Sequence, residues 1–377
     1  MLDARKVFQF DWLLLLLTLL LIALGLLMIS SATRNMQQAN VPLRDQPLPR
    51  QAVFAVIGLL VLAVVSIISY RAWAAWRWVL YAAILILLAG VQLAGRTHFG
   101  ATSWFELFDV VGLQPSELAK IVLIVVLARY FADHEEQVRR GPGVLISLLI
   151  AAPLLGLISA QPDMGTAAVL VAIWVAMLFV AGLRPQHIVV LALVAVVLAP
   201  LLWTVMPPHA RERILMFVQP ESVPSDELYN VLQALIGVGS GGLWGKGLGQ
   251  GTQTQLSFLR VRHTDYIFAV LAEELGFVGS LLLLTLFAGL LLRLVRAAAR
   301  ASDAYGRLLA SGVAAMIFVQ VFINIGFHVR LLPVTGLPLP LLSYGGSSLV
   351  TTLMGLGLVE SVSLHRRSKE DAGLPLS

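Results

Sequence analysis

Apolar runs of about 20 residues recur along the whole sequence, and they constrain the fold more than any other feature. A run of that length lets an α-helix cross the roughly 30 Å hydrocarbon core of a bilayer. We therefore predict ten membrane-spanning helices, over 11–31, 51–69, 73–95, 115–131, 144–160, 163–181, 186–206, 265–293, 306–329 and 341–363. The eighth is longer than a bilayer requires, so we expect it to tilt or protrude.

Composition excludes a soluble globular protein, because 58% of the residues are hydrophobic and only 12% are charged, against about 25% charged in a typical soluble domain. Cysteine is absent, which excludes disulfides, thiolate nucleophiles and cysteine-bearing metal sites. The net charge of +5 suggests nucleic acid at first sight. The basic residues flank the apolar runs, however, so we read them as topology signals and expect no nucleic-acid partner.

Lys and Arg are concentrated in alternate connections, for example at Arg71, Arg139 and Arg300, while the opposite short connections are poor in them. Basic connections stay on the cytoplasmic side. This places both termini in the cytoplasm, segment 207–264 outside as one long extracytoplasmic loop, and 364–377 inside as a tail. The predicted fold is a single all-α polytopic domain over 1–377 in the cytoplasmic membrane.

The unusual polar residues all fall at the outer ends of the predicted spans. Glu117 and Lys120 are three residues apart in the first turns of the fourth span, so they share a helix face that points into the bundle. They form either a self-neutralising ion pair or a polar wall of a water-filled cavity, and the two readings are compatible.

Asp163 and Asp265 begin the sixth and eighth spans, where a carboxylate could simply cap the helix. At Asp265, Thr264 competes for that cap. Asp265 also has basic neighbours, namely Arg260, Arg262 and His263 in a loop that contains Arg211 and Arg213. Clustered guanidinium groups suit phosphate oxygens. Asp265 is therefore the candidate catalytic base.

Glu273 and Glu274 lie about two turns further along the eighth span, and we expect one of them to balance Lys120 or an arginine. The run 237–251 is rich in glycine but has no preceding strand, so its resemblance to a dinucleotide motif is accidental. We interpret it as flexible backbone near the site. The histidines show no metal-ligand spacing.

Four motifs resemble the SEDS family (shape, elongation, division and sporulation), and the resemblance covers nearly the whole chain. They are QPSELAK at 114–120, QPDMGT at 161–166, RHTDYIF at 262–268 with AEE at 272–274, and LSYGGSS at 342–348. The segments PVTGLPLP at 333–340 and GTQTQL at 251–256 resemble the RodA branch of the family more than its FtsW branch. Tyr266 replaces the usual Phe, a mild departure.

The resemblance implies a peptidoglycan glycosyltransferase that polymerises lipid II for cell elongation in the bacterial cytoplasmic membrane. It also implies a class B penicillin-binding protein as partner, alongside other elongation-complex proteins. The family's essential aspartate falls on Asp265, its cavity charges on Glu117, Lys120 and Asp163, and its important loop tryptophan on Trp104. The expected substrate-binding set is Arg50, Trp104, Glu117, Lys120, Asp163, Arg211, Arg213, Arg260, Arg262 and Ser343.

The expected reaction is a single inverting displacement, in which Asp265 takes the proton of the acceptor sugar hydroxyl. Arginines or a divalent cation such as magnesium would hold the pyrophosphate, and the sequence does not choose among them. Two rival functions remain at this stage: a flippase of the lipid-linked precursor, and a non-catalytic scaffold of the wall-synthesis complex. The surfaces of spans eight and nine could bind the membrane helix of a partner.

Overall fold

The computed structural model describes residues 10–34, 42, 46–94, 96–98, 101–107, 111–161, 163–220, 226–256, 258–259 and 262–366. Each of the ten predicted spans coincides with a long helix. These helices are α1 (Trp12–Ala32), α2 (Pro47–Ile67), α4 (Arg77–Ala94), α5 (Pro115–Asp133), α7 (Pro142–Ala160), α8 (Met164–Val180), α9 (Pro185–Val205), α13 (Ile267–Ala299), α14 (Ala304–His328) and α15 (Gly346–Leu364). The all-α membrane fold is confirmed.

Shorter elements connect these helices. They are α3 (Tyr70–Ala75), α6 (Glu135–Arg140), α10 (Pro208–Val218), α11 (Asp226–Ser240) and α12 (Thr252–Gln255), together with the strands β1 (Arg96–His98), β2 (Ala101–Leu107) and β3 (Val111–Leu113). The three strands form a small antiparallel sheet in the order β1-β2-β3, which the sequence did not predict. The long extracytoplasmic loop thus contains helices α10, α11 and α12.

The core lies around α5, α14 and α15, whose inward side chains are almost fully buried. Helix α9 is the opposite case, since none of its described side chains is buried. Every residue from 192 to 200 is exposed, among them the apolar Leu193, Val194, Val196 and Val197. Consecutive residues are turned by about 100° around a helix, so this stretch is uncovered on every face. Helix α9 therefore stands apart from the bundle over most of its length.

Helix α13 is interrupted at Gly276, where φ is 68° and ψ is −161°. The sequence did not predict this break within the span over 265–293, and the helix continues to Ala299. The glycine-rich run fills the break. Lys246 N–H donates to Glu273 O and Gly247 N–H to Glu274 O, both at 3.0 Å. Phe277 N–H in turn donates to Gly242 O at 2.9 Å.

This pairing satisfies backbone groups that the interrupted helix leaves without intrahelical partners. It also corrects the interpretation of 237–251 as flexible backbone near the site, because these bonds fix the run against α13. A Cβ on Gly245 would lie 2.1 Å from Glu274 O, and one on Gly276 would lie 2.3 Å from Gly245 N. The glycines are required because the two backbones approach more closely than any side chain would allow.

The cytoplasmic ends of the helices are joined by ion pairs. Arg293 pairs with Asp11 at 2.7 Å, and Asp11 N–H donates to the buried carboxylate of Glu360 at 2.7 Å. Arg71 pairs with Asp303 at 3.1 Å. These contacts fasten α1, α13 and α15 together at the end of the bundle opposite to the candidate site.

Candidate functional site

The extended segment 333–340 connects α14 to α15 and forms the centre of the site. At its middle, Gly336 has φ of 69°, a left-handed conformation that favours glycine. The point where a Cβ would lie is 3.7 Å from Asp265 Oδ2 and 3.6 Å from Arg213 Nη1. A carboxylate and a guanidinium from distant parts of the chain thus both lie next to Gly336, which has no side chain to separate them.

Asp265 lies two residues before α13 and is half-buried. The N-cap of α13 is Tyr266, whose side chain makes no capping hydrogen bond, so neither Asp265 nor Thr264 occupies the N-cap position. Instead the turn is held through its main chain. Ser343 Oγ donates to Thr264 O at 2.7 Å, and Tyr344 N–H donates to His263 O at 2.9 Å.

Arg213 and Arg211 project from α10. Arg213 Nη1 donates to Thr335 O at 3.3 Å, which ties α10 to the 333–340 segment beside Asp265. Arg211 Nη2 donates to Thr204 O at 2.6 Å, while its buried Nε meets no acceptor in the part of the chain that the structure describes. Of the predicted phosphate-binding arginines, Arg213 is therefore the one placed beside Asp265 by these contacts.

Asp163 caps α8 as expected, accepting a hydrogen bond from Thr166 N–H at 3.0 Å. It also accepts hydrogen bonds from Gln114 Nε2 at 3.2 Å and Ser116 Oγ at 3.1 Å, so it joins the outer ends of α5 and α8. A Cβ on Gly165 would lie 2.7 Å from Thr335 O. The first turn of α8 therefore packs directly on the segment that carries Gly336.

Glu117 and Lys120 form the predicted ion pair, with Lys120 Nζ 2.8 Å from Glu117 Oε1. Their side chains are 3% and 1% exposed, so they lie beneath Asp163 rather than on an open wall. Glu117 Oε2 is buried and has no hydrogen-bond partner among the described residues. A buried atom of this kind is typical of a site that holds internal water.

Two predicted substrate-binding residues have structural contacts instead. Arg262 is buried and donates through Nε to Ala32 O and through Nη1 to Thr254 O, both at 2.6 Å. Burial also lowers the pKa of its guanidinium. The hydroxyl of Ser343 is occupied as well, since it accepts from Leu339 N–H at 2.8 Å and donates to Thr264 O. Both residues shape the turn that carries Asp265.

His263 lies in the same turn, beside the ring of Tyr344 at 5.4 Å between ring centroids. Burial, reinforced by the neighbouring Arg262, lowers the pKa of His263 to about 4. This imidazole is therefore neutral at physiological pH and adds no positive charge to the site.

The remaining predicted residues lie further from Asp265 or outside the described part. Arg50 is half-buried on α2, and its Nε meets no acceptor among the described residues. Its neighbour Gln51 donates to Ser343 O at 3.0 Å and accepts from Gly345 N–H at 3.0 Å. Trp104 lies in β2 opposite Arg96, and its side chain is not described. Arg260 lies outside the described residues.

Sequence reasoning missed several partners. Glu273 is balanced by Lys246 at 2.8 Å, not by Lys120 or an arginine, and Glu274 accepts from Ser31 Oγ at 2.6 Å. Asn324 of α14 was also missed, although a lone amide in an apolar span is itself a signal. Its Nδ2 donates to Leu337 O at 2.7 Å and to Asp265 O at 3.2 Å.

Within the described residues, no three His, Asp or Glu side chains come together in a metal-binding group. Magnesium, however, is commonly held by one or two carboxylates together with substrate phosphates. The carboxylate of Asp265 fits that role only with phosphate oxygens from a substrate. The side chains present therefore do not form a metal cage of their own.

The chain matches the family described as cell cycle protein, which groups FtsW, RodA and SpoVE, over residues 11–368. Its relatives include the peptidoglycan glycosyltransferase MrdB of Escherichia coli K12, 43% identical over 290 residues that cover 76% of this chain and 78% of the relative. The stage V sporulation protein E of Bacillus subtilis is 38% identical, and the match covers 95% and 98% of the two chains.

Solved structures agree with these relatives. A chain from a peptidoglycan synthase complex, in which polymerization and crosslinking are coordinated, superposes with a TM-score of 0.80 at 35% identity and covers 95% of this chain and 98% of its own. The rod shape determining protein RodA of Thermus thermophilus superposes with a TM-score of 0.69 at 35% identity, with the same coverage.

Proposed function

The chain belongs to the FtsW, RodA and SpoVE family of cell cycle proteins, and we propose that it is a peptidoglycan glycosyltransferase of the RodA branch. It polymerises lipid II into glycan strands on the outer face of the bacterial cytoplasmic membrane. The observation that carries this proposal is the convergence of Asp265 and Arg213 over Gly336. That pair lies at the outer ends of the spanning helices, where the reaction needs a carboxylate that acts as base and a cationic group that binds the phosphates.

The carboxylate of Asp265 acts as the general base. It takes the proton of the acceptor sugar's 4-hydroxyl while that oxygen attacks the anomeric carbon of the donor. The bond from that carbon to the pyrophosphate oxygen breaks with its electron pair, so the configuration inverts. Pyrophosphate leaves without full protonation, and one carboxylate therefore suffices where glycoside hydrolysis usually needs two. General-base help of this kind contributes about 10²–10⁴-fold in rate.

The guanidinium of Arg213 binds the pyrophosphate. A guanidinium group binds phosphate oxygens through charge-assisted hydrogen bonds, and the contact of Arg213 with Thr335 O places it beside Asp265. Arg211 and Arg260 are the further candidates for the same anion, and a magnesium ion would supply additional charge neutralisation between Asp265 and the phosphates. Arg262 stabilises the turn that carries Asp265 and does not bind the pyrophosphate, because its Nε and Nη1 already donate to main-chain carbonyls.

Access from the lipid phase is supported by α9. Its side chains over 192–200 are exposed on every face, so this part of α9 does not seal the bundle, and α9 is followed along the chain by α10, which carries Arg213. We propose that a gap beside α9 opens the site to lipid. A polyprenyl chain could lie in that gap while its pyrophosphate reaches the arginine. The buried Glu117–Lys120 pair and Asp163 form the polar floor under the sugars.

The partner is proposed to be a class B penicillin-binding protein, which would bind through its membrane helix on α13 and α14 and crosslink the new glycan. Similarity to a chain of a peptidoglycan synthase complex supports such a partner in general terms. Other elongation-complex proteins would bind the same assembly. A flippase would need polar groups in the cytoplasmic half of the spans as well, and these are sparse in the sequence.

The test is polymerisation of lipid II by the purified chain in detergent, with and without the partner. Detergent micelles have no two sides, so a flippase or a scaffold forms no polymer there. We expect glycan strands from the wild type and none from Asp265→Ala at equal amounts of folded protein. The absence of polymer from the wild type with its partner would refute the proposed activity.

A further inference from the structure

Asn324 is an amide that the proposed reaction does not use, yet it is fully buried in a membrane-spanning helix. It lies one turn before the outer end of α14. An amide gives up its hydrogen bonds to water when it is buried, so the protein groups that it bonds instead are informative. The bonds that it makes lead directly to the candidate site.

Both acceptors of Asn324 Nδ2 are main-chain carbonyls, namely Leu337 O at 2.7 Å and Asp265 O at 3.2 Å. A carbonyl can only accept, so the amide nitrogen must face these two groups. Its Oδ1 points elsewhere and is buried without a partner among the described residues. The two carbonyls thus determine which end of the amide is the nitrogen and which is the oxygen.

These two bonds link Asp265 to the 333–340 segment. The path runs from Asp265 through Asn324 to Leu337, then along the backbone through Gly336 to Thr335, whose carbonyl accepts from Arg213. Asn324 therefore ties the backbone of Asp265 directly to the segment that carries Gly336 and contacts Arg213. Ser343 makes a second tie one residue away, between Thr264 O and Leu339 N–H, whereas Asn324 holds the carbonyl of Asp265 itself.

We propose that Asn324 is a positioning residue for the glycosyl transfer, an inference that rests on the proposed role of Asp265 as base. Asn324 has no exposed surface, so it does not touch substrate. It acts by fixing the carboxylate relative to the guanidinium, and a misplacement of about 1 Å at a reacting group costs roughly 10²-fold in rate.

Gln320 provides a matched control on the same helix. It lies one turn deeper, at the i−4 position, and it is equally buried. Neither its Nε2 nor its Oε1 has a partner among the described residues. Gln320→Met therefore removes a buried amide from the same helix without removing a described bond to the site.

The experiment measures kcat and KM for lipid II with the chain bound to its partner, for Asn324→Asp, Asn324→Ser, Gln320→Met and Asp265→Ala. Rates are expressed per folded protein recovered by size exclusion. We expect Asn324→Asp, which offers the two carbonyls at most one donor and only when it is protonated, to lower kcat about 100-fold and to leave KM within about twofold. Asn324→Ser keeps one donor and should lose about tenfold, while Gln320→Met should remain within about twofold of wild type.

Each outcome is informative. If Asp265→Ala polymerises lipid II normally, the proposed role of Asp265 fails, whatever Asn324 does. If Asp265→Ala is inactive but both Asn324 variants keep kcat within about threefold, the positioning role is overturned. A loss confined to the yield of folded protein, or a rise in KM at constant kcat, overturns it as well. If Asn324→Asp does not fold, Asn324→Ser decides the question by the same criteria.

Discussion

The pairing between the glycine-rich run and the break in α13 makes a sharp prediction for Gly245→Ala. The Cβ of the new residue would lie 2.1 Å from Glu274 O and 2.4 Å from the carbon of the same carbonyl. Backbone atoms cannot yield in the way that a flexible side chain does. The two backbone segments must therefore move apart, and the hydrogen bonds donated by Lys246 N–H and Gly247 N–H are lost.

The expected loss in the free energy of unfolding for Gly245→Ala has two parts. Residue 245 has φ of 78°, and a left-handed conformation costs an alanine about 1–2 kcal/mol. Two buried backbone bonds lost at about 1–3 kcal/mol each raise the total cost to about 3–8 kcal/mol. A domain of this kind is stable by only about 5–15 kcal/mol, so the variant should lose a large part of its stability.

The assay is thermal unfolding in detergent at one fixed heating rate, with neighbouring glycines as controls. Gly247→Ala has the same backbone strain, with φ of 99°, but its nearest neighbours are side-chain atoms of Gln250 at 3.8 Å or more. It should cost only about 1–2 kcal/mol. Gly239→Ala lies in helix α11 with nothing within 4 Å and should be neutral or stabilising by up to about 1 kcal/mol.

The ordering is what tests the reasoning. The melting temperature should fall most for Gly245→Ala, by several times the shift of Gly247→Ala, while Gly239→Ala should stay at or above wild type. If Gly245→Ala melts within a few degrees of Gly247→Ala, the close approach of the two backbones is not needed for stability, and the account of the broken helix is wrong.

Three further predictions concern charged groups. Lys120→Met leaves the buried Glu117 carboxylate without a compensating charge and should destabilise the protein by about 3–5 kcal/mol. The double variant with Glu117→Gln should recover much of the lost melting temperature. A double variant that melts as low as Lys120→Met would contradict a buried ion pair. Arg213→Met should lower kcat/KM for lipid II at least tenfold, whereas Arg300→Met at the cytoplasmic end should not. His263, with its pKa lowered to about 4 from 6.5, stays neutral in the folded chain while the unfolded chain takes up a proton. Stability should therefore fall as the pH drops from 6.5 toward 4, by roughly 3 kcal/mol in all, and unfolding of His263→Gln should be less pH-dependent than that of wild type.

Hydropathy alone was sufficient to predict every spanning helix, because each run had to satisfy its own backbone within a bilayer. Even α9, which the bundle hardly covers, was predictable, since its apolar length does not depend on neighbours. The break at Gly276 was not, because an isolated glycine in a membrane helix carries no signal of the distant backbone that pairs with it.

For the candidate site, the sequence was sufficient to predict the types of residue and the side of the membrane on which they lie. Basic neighbours and a position at a helix start were enough to single out Asp265. They could not separate Arg213 from Arg262, since the burial of Arg262 depends on Ala32 O, 230 residues away in the chain. Likewise, the pairing of Glu273 with Lys246 follows from the fold of the glycine-rich run and not from any helical spacing.

The most direct measurement of the central claim is the single-turnover rate of lipid II coupling by Asp265→Asn with its partner bound. The amide keeps the size of the side chain and removes only its basicity. We expect the rate to fall by at least about 10²-fold while lipid II still binds with an affinity near that of wild type. A rate within about fivefold of wild type, at equal folded protein, would show that the carboxylate facing Arg213 across Gly336 is not the base.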